Sequence, residues 1–283
     1  SESWLERRKA SVEHGTWRKN CDHIRAARMH LEDAKLSEIT PQVLETMYDA
    51  LRAGKSPSGK KLSGTYVNCI SKTLHKMFHD AIKDGKMASN PCDQAKAPQN
   101  DTPERKHLSY DAMLELIGKL DPTDPPQLVI LAGLKDGMRR GEVHGLRGRS
   151  FDGNVVSILW TVDNTGKPKK KAKTKKSART HPVSDSLMED FAKRIEYMKS
   201  VGLPTGPDDP IICNRLGEYM LPNSSTRWWG RHRKELGFDG WTIHEMRHSF
   251  ASEMAKRVQP KVLQEWLGHE SFNTTMDIYV HVG

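Results

Sequence analysis

The sequence predicts two domains: an all-α domain over residues 1–98, and over residues 107–283 a mainly α domain with a small antiparallel β-sheet, an α+β arrangement. Three observations predict it. Apolar residues in the first 98 positions recur at three- and four-residue intervals, with no strand-like alternation. The run QNDTPERK at 99–106 is polar and proline-interrupted, which marks a linker. In the second part, two β-branched stretches flank a lysine-rich loop, whereas the rest keeps helical periodicity.

In the first domain, Trp17, Ile24, Ala27, Met29 and Leu31 mark one helix. Thr40 supplies an N-cap and Pro41 a first helical residue that lacks the unneeded N–H, so a second helix runs over Gln42–Leu51. The stretch GKSPSG at Gly54–Gly59 is a turn. A third helix from Ser63 carries Val67, Ile70, Leu74, Phe78 and Ile82 on one stripe, with Lys72, Lys76 and His79 on or near the opposite face.

In the second domain, Ser109 caps a helix over Asp111–Leu120. The segment QLVILAGLKDGMRRGEVHGLR is apolar enough for a core helix that breaks at Gly137 and restarts, with Arg139 just past the break and Glu142 a step further. Asn154–Val162 reads as a strand and Arg179–Val183 as its return. The intervening DNTGKPKKKAKTKKSA holds seven lysines and no acid after Asp163; held between two strands, it is presented as a tip that can reach into a groove. An amphipathic helix over Ser184–Met198, a buried extended piece at Ile211–Cys213 and a helix over Asn223–Leu236 follow. The last of these has two tryptophans, Trp228 and Trp229, and a basic edge of Arg227, Arg231, Arg233 and Lys234.

A formal net charge of +9 and a pI near 9.3 point to a polyanionic partner, nucleic acid being the natural candidate. Cys21, Cys69, Cys92 and Cys213 are too scattered for a zinc knuckle or a disulfide framework. No apolar run reaches transmembrane length and SESWLERRKA lacks a signal-peptide core, so the expectation is a soluble, cytoplasmic protein without membrane partners.

Residues 241–282 concentrate the chemistry. Thr242 and Glu245 form a capping box, and Ile243, Met246, Phe250, Met254 and Val258 make an apolar stripe, so a helix starts at Ile243. His244, Arg247 and His248 fall at i, i+3 and i+4, on one edge. Pro260 and Gly268 bound the next helix and leave His269 just beyond its end; Asn273, Thr274 and Thr275 open a third segment that carries Tyr279. A guanidinium fork matches phosphate oxygens, imidazole donates or moves a proton, and surrounding positive charge favours the phenolate of tyrosine over its ordinary pKa of about 10. The same residues spell His-Glu-x-x-His, a zinc-protease signature for which Glu270 would be the third ligand. Against it, the capping box already employs Glu245, and Arg247 would repel a metal between the two histidines.

HEMRH, LGHES and TTMDIYVHV, in that order, resemble the C-terminal signature of the tyrosine recombinases, the phage-integrase family of site-specific DNA recombinases. GMRRGEVHGLR resembles the family's first arginine box and AKTKKSARTHPV its lysine hairpin; the helices before residue 98 resemble its core-binding domain, which closes over DNA opposite the catalytic domain. LRGRSFDGN departs from the pattern by lacking the tryptophan and paired acids often found there. The resemblance implies a two-domain DNA clamp in which Tyr279 attacks the scissile phosphate and forms a 3′-phosphotyrosyl link. Arg139 and Arg247 would hold the non-bridging oxygens, and Glu142 would hold the first arginine. Lys173 would protonate the leaving 5′ oxygen, His244 would assist proton movement at Tyr279, and His269 would donate to the phosphate. Lys72, Lys76, Arg140, Lys171, Lys175, Lys176, Arg231 and Arg233 are the implied DNA contacts. One diester replaces another, so neither ATP, metal nor other cofactor is needed. The implied partner is double-stranded DNA with specific recombination sites, in a nucleoid-associated setting in a prokaryote. Gly283 lies four residues past Tyr279, whereas family members link protomers through a tail there. A monomer in solution that becomes a homotetramer on paired sites is therefore expected. A type IB topoisomerase would use nearly the same residues, and a silent DNA-binding regulator would have no need of Tyr279.

Overall fold

The computed structural model describes residues 1–31, 34–101, 106–170 and 179–282, and the chain divides into two compact units, Ser1–Glu104 and Arg105–Gly283. The first unit is helical: α1 (Glu2–Ser11), α2 (His14–Leu31), α3 (Pro41–Ala53) and α4 (Gly64–Lys83). Its core is built from Ile24, Ala27, Val67, Ile70, Leu74 and Phe78, which the periodicity predicts, together with Leu44, Met47, Tyr48 and Leu51 of α3. Thr40 Oγ1 accepts the Val43 N–H at 3.3 Å and Ser63 Oγ that of Tyr66 at 3.2 Å, so both expected caps form. Met29, however, is exposed rather than packed. The sequence reading lacks α1, which buries little beyond Trp4; that residue donates its indole N–H to Asp80 at 2.9 Å, and Arg7 pairs with Asp84 at 2.7 Å. Asp101, within the stretch read as linker, accepts from the Gly64 and Thr65 N–H groups at 2.6 and 3.0 Å, placing negative charge at the N-terminus of α4.

In the second unit, α5 (Tyr110–Gly118) is capped by Ser109, and α6 (Pro125–Asp136) is the central helix. One side of α6 (Ile130, Leu131, Leu134) packs with Trp229, Met246, Phe250, Leu263 and Leu267. The other (Leu128, Val129, Ala132) packs with Val156, Ile158, Leu187, Phe191 and Ile212. A helix apolar on both sides can only be central. Beyond it come α7 (Arg140–His144), α8 (Asp185–Ser200), α9 (Pro222–His232), α10 (Ile243–Ala255), α11 (Pro260–Leu267) and α12 (Phe272–Val282). The α9 helix stops short of the expected Leu236 because a turn closed by Phe238 N–H to the Arg233 carbonyl, 2.7 Å, drops Phe238 into the core.

The expected single strand 154–162 is two strands in different sheets. β1 (Phe151–Asp152), β2 (Val155–Ile158) and β5 (Arg179–Pro182) form one antiparallel sheet in the order β1-β2-β5; β3 (Trp160–Val162) pairs with β4 (Pro168–Lys170) in another. Val156, Ile158 and Val162 are buried at even spacing although Trp160 between them is only partly so, and the hydrogen-bonding partner changes at Leu159: Ile158 faces Arg179 and Trp160 faces Lys170. Alternation reports which face is buried, not which strand lies alongside.

Candidate active site

Helix termini assemble the site. An α-helix ends with carbonyls that lack intrahelical partners and with the negative end of its dipole. At the end of α11, Gly268 adopts φ 62°, and the Gly268 and His269 N–H groups return to the Glu265 and Gln264 carbonyls. The next three carbonyls are taken by three arginines from elsewhere in the chain. Arg179, at the start of β5, donates to Trp266 O; Arg247, from α10, donates to Leu267 O at 2.7 Å; Arg139, the N-cap residue of α7, donates to Gly268 O at 2.6 Å. Arg247 also donates to Gly137 O at 2.5 Å, the αL residue that ends α6. Gly137 must be glycine: its φ is 63°, and a Cβ there would lie 2.4 Å from the Phe250 ring.

Among the described residues, Glu142 is the carboxylate that Arg139 and Arg179 share. It is 1% exposed, and it accepts Arg139 Nη1 at 3.0 Å, the Arg139 backbone N–H at 3.1 Å and Arg179 Nη2 at 2.9 Å. Arg247, 6% exposed, has its pKa pushed down to about 9, first by burial and then by Arg139, with Glu142 opposing and Arg179 adding. Burial likewise lowers Arg179. A guanidinium keeps its proton at physiological pH, so the shift reports chiefly its removal from water, to which the neighbouring arginines add a repulsion that an anion would relieve. Two fully buried histidines frame the cluster as neutral bases, each held near pKa 4 chiefly by burial. His144 bonds the Met220 carbonyl and Ser225 Oγ, and His181 the Trp266 carbonyl.

Beside the arginines lies a cavity of about 450 Å³ whose walls include Arg139, Arg140, Thr226, Thr242, His244 and Arg247. His244 is exposed at the N-terminus of α10. His269 sits on the turn whose Gly268 carbonyl Arg139 holds, and its Nδ1 is 2.9 Å from the hydroxyl of buried Thr275. Tyr279 is placed apart: its hydroxyl donates to the carbonyl of Val258, beyond the far end of α10, and burial raises its pKa. From Arg247 to Ala255 the helix advances by roughly 12 Å, at about 1.5 Å per residue. The structure thus joins Arg139, Arg247, Glu142 and the His269 turn, sets His244 on the adjoining cavity and leaves the tyrosine outside.

The remaining expectations are distributed as follows. Arg140 bonds Thr226 Oγ1 and, at 3.4 Å, Asn164 Oδ1, tying α7 to α9 on the cavity wall. Arg231 is exposed, whereas Arg233 pairs with Asp239 at 3.3 Å and donates to Trp241 O at 3.1 Å. Trp229 is core; Trp228 is partly buried and stacks on His232. Lys72 is exposed on α4, and Lys76 pairs with Asp80 one turn on, at 2.7 Å. Lys171, Lys173, Lys175 and Lys176 lie outside the described residues. In the His-Glu-x-x-His stretch, Glu245 accepts the Thr242 N–H at 2.6 Å, the capping box the sequence predicts, and Arg247 is committed to two carbonyls. Sequence reasoning missed Arg179, which it read only as the start of a strand. The one available signal was a charged residue opening a strand whose other face is buried.

The family profile described as the phage integrase family matches residues 111–283, which is more than half of the chain. The chain belongs to the phage integrase family. This is a family of DNA strand-transferring enzymes. Among its relatives, a tyrosine recombinase XerC-like protein of Caldanaerobacter subterraneus subsp. tengcongensis is 25% identical over 246 residues, covering 78% of this chain and 63% of the relative. The integrase of Enterobacteria phage 434 is 25% identical over 282 residues, covering 95% of this chain and 72% of the relative. The chain thus spans 63% to 72% of the length of these two integrase-family relatives. The Tn1549 transposon integrase, solved in complex with transposon right end DNA, superposes with a TM-score of 0.80 at 20% identity, covering 96% of this chain and 91% of that one. That likeness is one of fold.

Proposed function

We propose that this member of the family is a site-specific recombinase of a mobile element, which cuts and rejoins double-stranded DNA through a 3′-phosphotyrosyl intermediate on Tyr279. The observation that carries the reading is the cluster of Arg139, Arg179 and Arg247 at the end of α11, only the first two of them paired with Glu142, a site with excess positive charge and planar donors suited to a phosphodiester. In the proposed step the Tyr279 oxygen forms a bond to phosphorus and the bond to the 5′ oxygen breaks, its electron pair leaving with that oxygen. Lys173 supplies the leaving oxygen's proton, and His244 assists removal of the phenol proton. Arg139, Arg247 and His269 donate to the non-bridging oxygens, where charge builds; such a donor is typically worth about a hundredfold to a thousandfold in rate. Attack by another 5′ hydroxyl reverses the bonds on a new strand. No bond energy is lost between one diester and the next, so the scheme calls for neither ATP nor a metal. Tyr279 must first leave the Val258 carbonyl, so the scheme includes a displacement of α12.

Lys72, Arg140, Lys171, Lys175, Lys176 and Arg231 serve in this reading as backbone contacts. Lys76 and Arg233 would have to exchange their acidic partners for DNA phosphate. The phage 434 integrase and the Tn1549 integrase support the mobile-element context, and assembly as a homotetramer on paired sites is part of the proposal. The test is to incubate the protein with duplex DNA in the presence of chelator and recover SDS-stable adducts, then to place the trapped sequence on a two-site plasmid. Exchange of flanking DNA supports recombination. Relaxation without exchange indicates a topoisomerase, and no adduct at all refutes the reading.

A further inference from the structure

We infer that Arg179 is a positioning residue for the phosphate site, fixing the distance between the carboxylate that holds Arg139 and the turn that carries His269. The inference rests on the strand-transfer reading above. Its basis is a closed circuit of contacts. Arg179 Nη2 donates to Glu142 Oε2 at 2.9 Å, and the two oxygens of Glu142 hold the backbone N–H and Nη1 of Arg139. Arg139 Nη2 donates to Gly268 O, and the chain just before that carbonyl returns to Arg179, whose Nη1 donates to Trp266 O and, at 3.4 Å, to Glu265 O. The Arg179 side chain also packs closely against Gly268: a Cβ at that residue would sit 2.8 Å from Arg179 Nε and 2.9 Å from its Cδ and Cζ. One rigid planar group therefore sets where the α11 terminus stands relative to α7.

Two further observations separate positioning from substrate contact and from mere filling of space. Arg179 is not among the walls of the cavity that Arg139, His244 and Arg247 line, and its side chain is 10% exposed, so it acts through its neighbours. Its Nε has no hydrogen-bond partner among the described residues, so within them this guanidinium is incompletely satisfied where it is buried. A buried ion pair adds little net stability over an apolar residue of the same volume, which leaves geometry as its contribution. Removing Arg179 still leaves Glu142 paired with Arg139.

The experiment measures the rate of SDS-stable adduct formation on a pool of nicked duplexes with a randomised centre, alongside DNA binding by the same pool and a urea melt. Arg179→Met should slow adduct formation about a hundredfold, the size of effect that misplacement by about 1 Å produces, with DNA binding retained and the urea melt still cooperative, its midpoint lowered by loss of the buried pair. Arg179→Lys should recover only part of the rate, because an ammonium cannot span a carboxylate and two carbonyls in one plane. The decisive arm is the double variant: in an Arg139→Ala background, Arg179→Met should cost no more than about tenfold further, since the part of its effect that passes through Arg139 is already lost and only its hold on the His269 turn remains. Full multiplication of the two losses, or an Arg179→Met protein as fast as the unmutated one, would overturn the inference. An unmutated protein that forms no adduct would remove the strand-transfer reading itself, and this inference with it.

Discussion

Glu142→Gln keeps the size and shape of the side chain that links Arg139 to Arg179 and removes its charge. Two of the ion pairs it breaks, both among the described residues, are unequal. Arg139 is 39% exposed on its side chain, so its attraction to Glu142 is partly screened and contributes little. The Arg179 pair, with side chains 10% and 1% exposed, is shielded from water, and breaking such a pair from one side costs about 3–5 kcal/mol. At roughly 2–4 °C per kcal/mol for a domain of this size, the melting temperature should fall by about 10 °C. Five of the seven tryptophans (Trp160, Trp228, Trp229, Trp241 and Trp266) lie in the unit from Arg105 to Gly283, so tryptophan fluorescence in a urea melt reports on the right part of the chain. Sulfate stabilises folded proteins in general, but the variant has lost the carboxylate that offsets its arginines and should gain more from sulfate than the unmutated protein does. A variant within about 1 kcal/mol of the unmutated protein, or one with the same sulfate response, would show that Glu142 does not balance the arginine charge.

Three other outcomes are expected. Tyr279→Phe should form no covalent adduct while binding DNA as before, and should lose about 1 kcal/mol of stability with the bond to Val258 O. His144 and His181 are buried neutral with folded pKa values near 4, below the unfolded value of about 6.5, so the unfolded state binds more protons between those limits. Stability should therefore be full above pH 6.5 and fall on acidification towards pH 4, by roughly 3 kcal/mol for each histidine; His144→Gln should flatten the decline in urea melts taken across that window, and an unchanged slope would contradict the assignment. Gly268→Ala forces a side chain into φ 62° and against Arg179, so urea melts should show a loss of roughly 2 kcal/mol and adducts should form more slowly; a neutral result would mean that the α11 terminus is not the tight packing point described.

Much of this architecture was legible from residues whose signals are local. Thr40, Ser63, Ser109 and Thr242 mark helix starts through hydrogen bonds to residues three positions on, and Gly137 and Gly268 mark ends through a conformation only glycine adopts easily. Arg139 and Arg247 are singled out by the resemblance of GMRRGEVHGLR and HEMRH to the family's motifs; the local signals place their helices and not their roles. What stayed hidden depends on contacts distant in sequence. Nothing around Arg179 announces that it reaches the carbonyls of Glu265 and Trp266, 86 and 87 residues away. The change of strand partner at Leu159 leaves Val156, Ile158 and Val162 buried at even spacing, as a single strand would have them. The α1 helix has too few apolar residues for a periodicity, because Trp4 does most of its packing. The pattern around Tyr279 gives a helix but not the carbonyl on which its hydroxyl rests.

The central claim is that Tyr279 becomes joined to DNA at the site the arginines form. Digestion of the trapped adduct with trypsin and a nuclease, followed by mass spectrometry, identifies both partners of the bond. The account predicts a nucleotide on the peptide containing Tyr279, attached through its 3′ phosphate. A nucleotide on any other residue, or attachment through a 5′ phosphate, would contradict it.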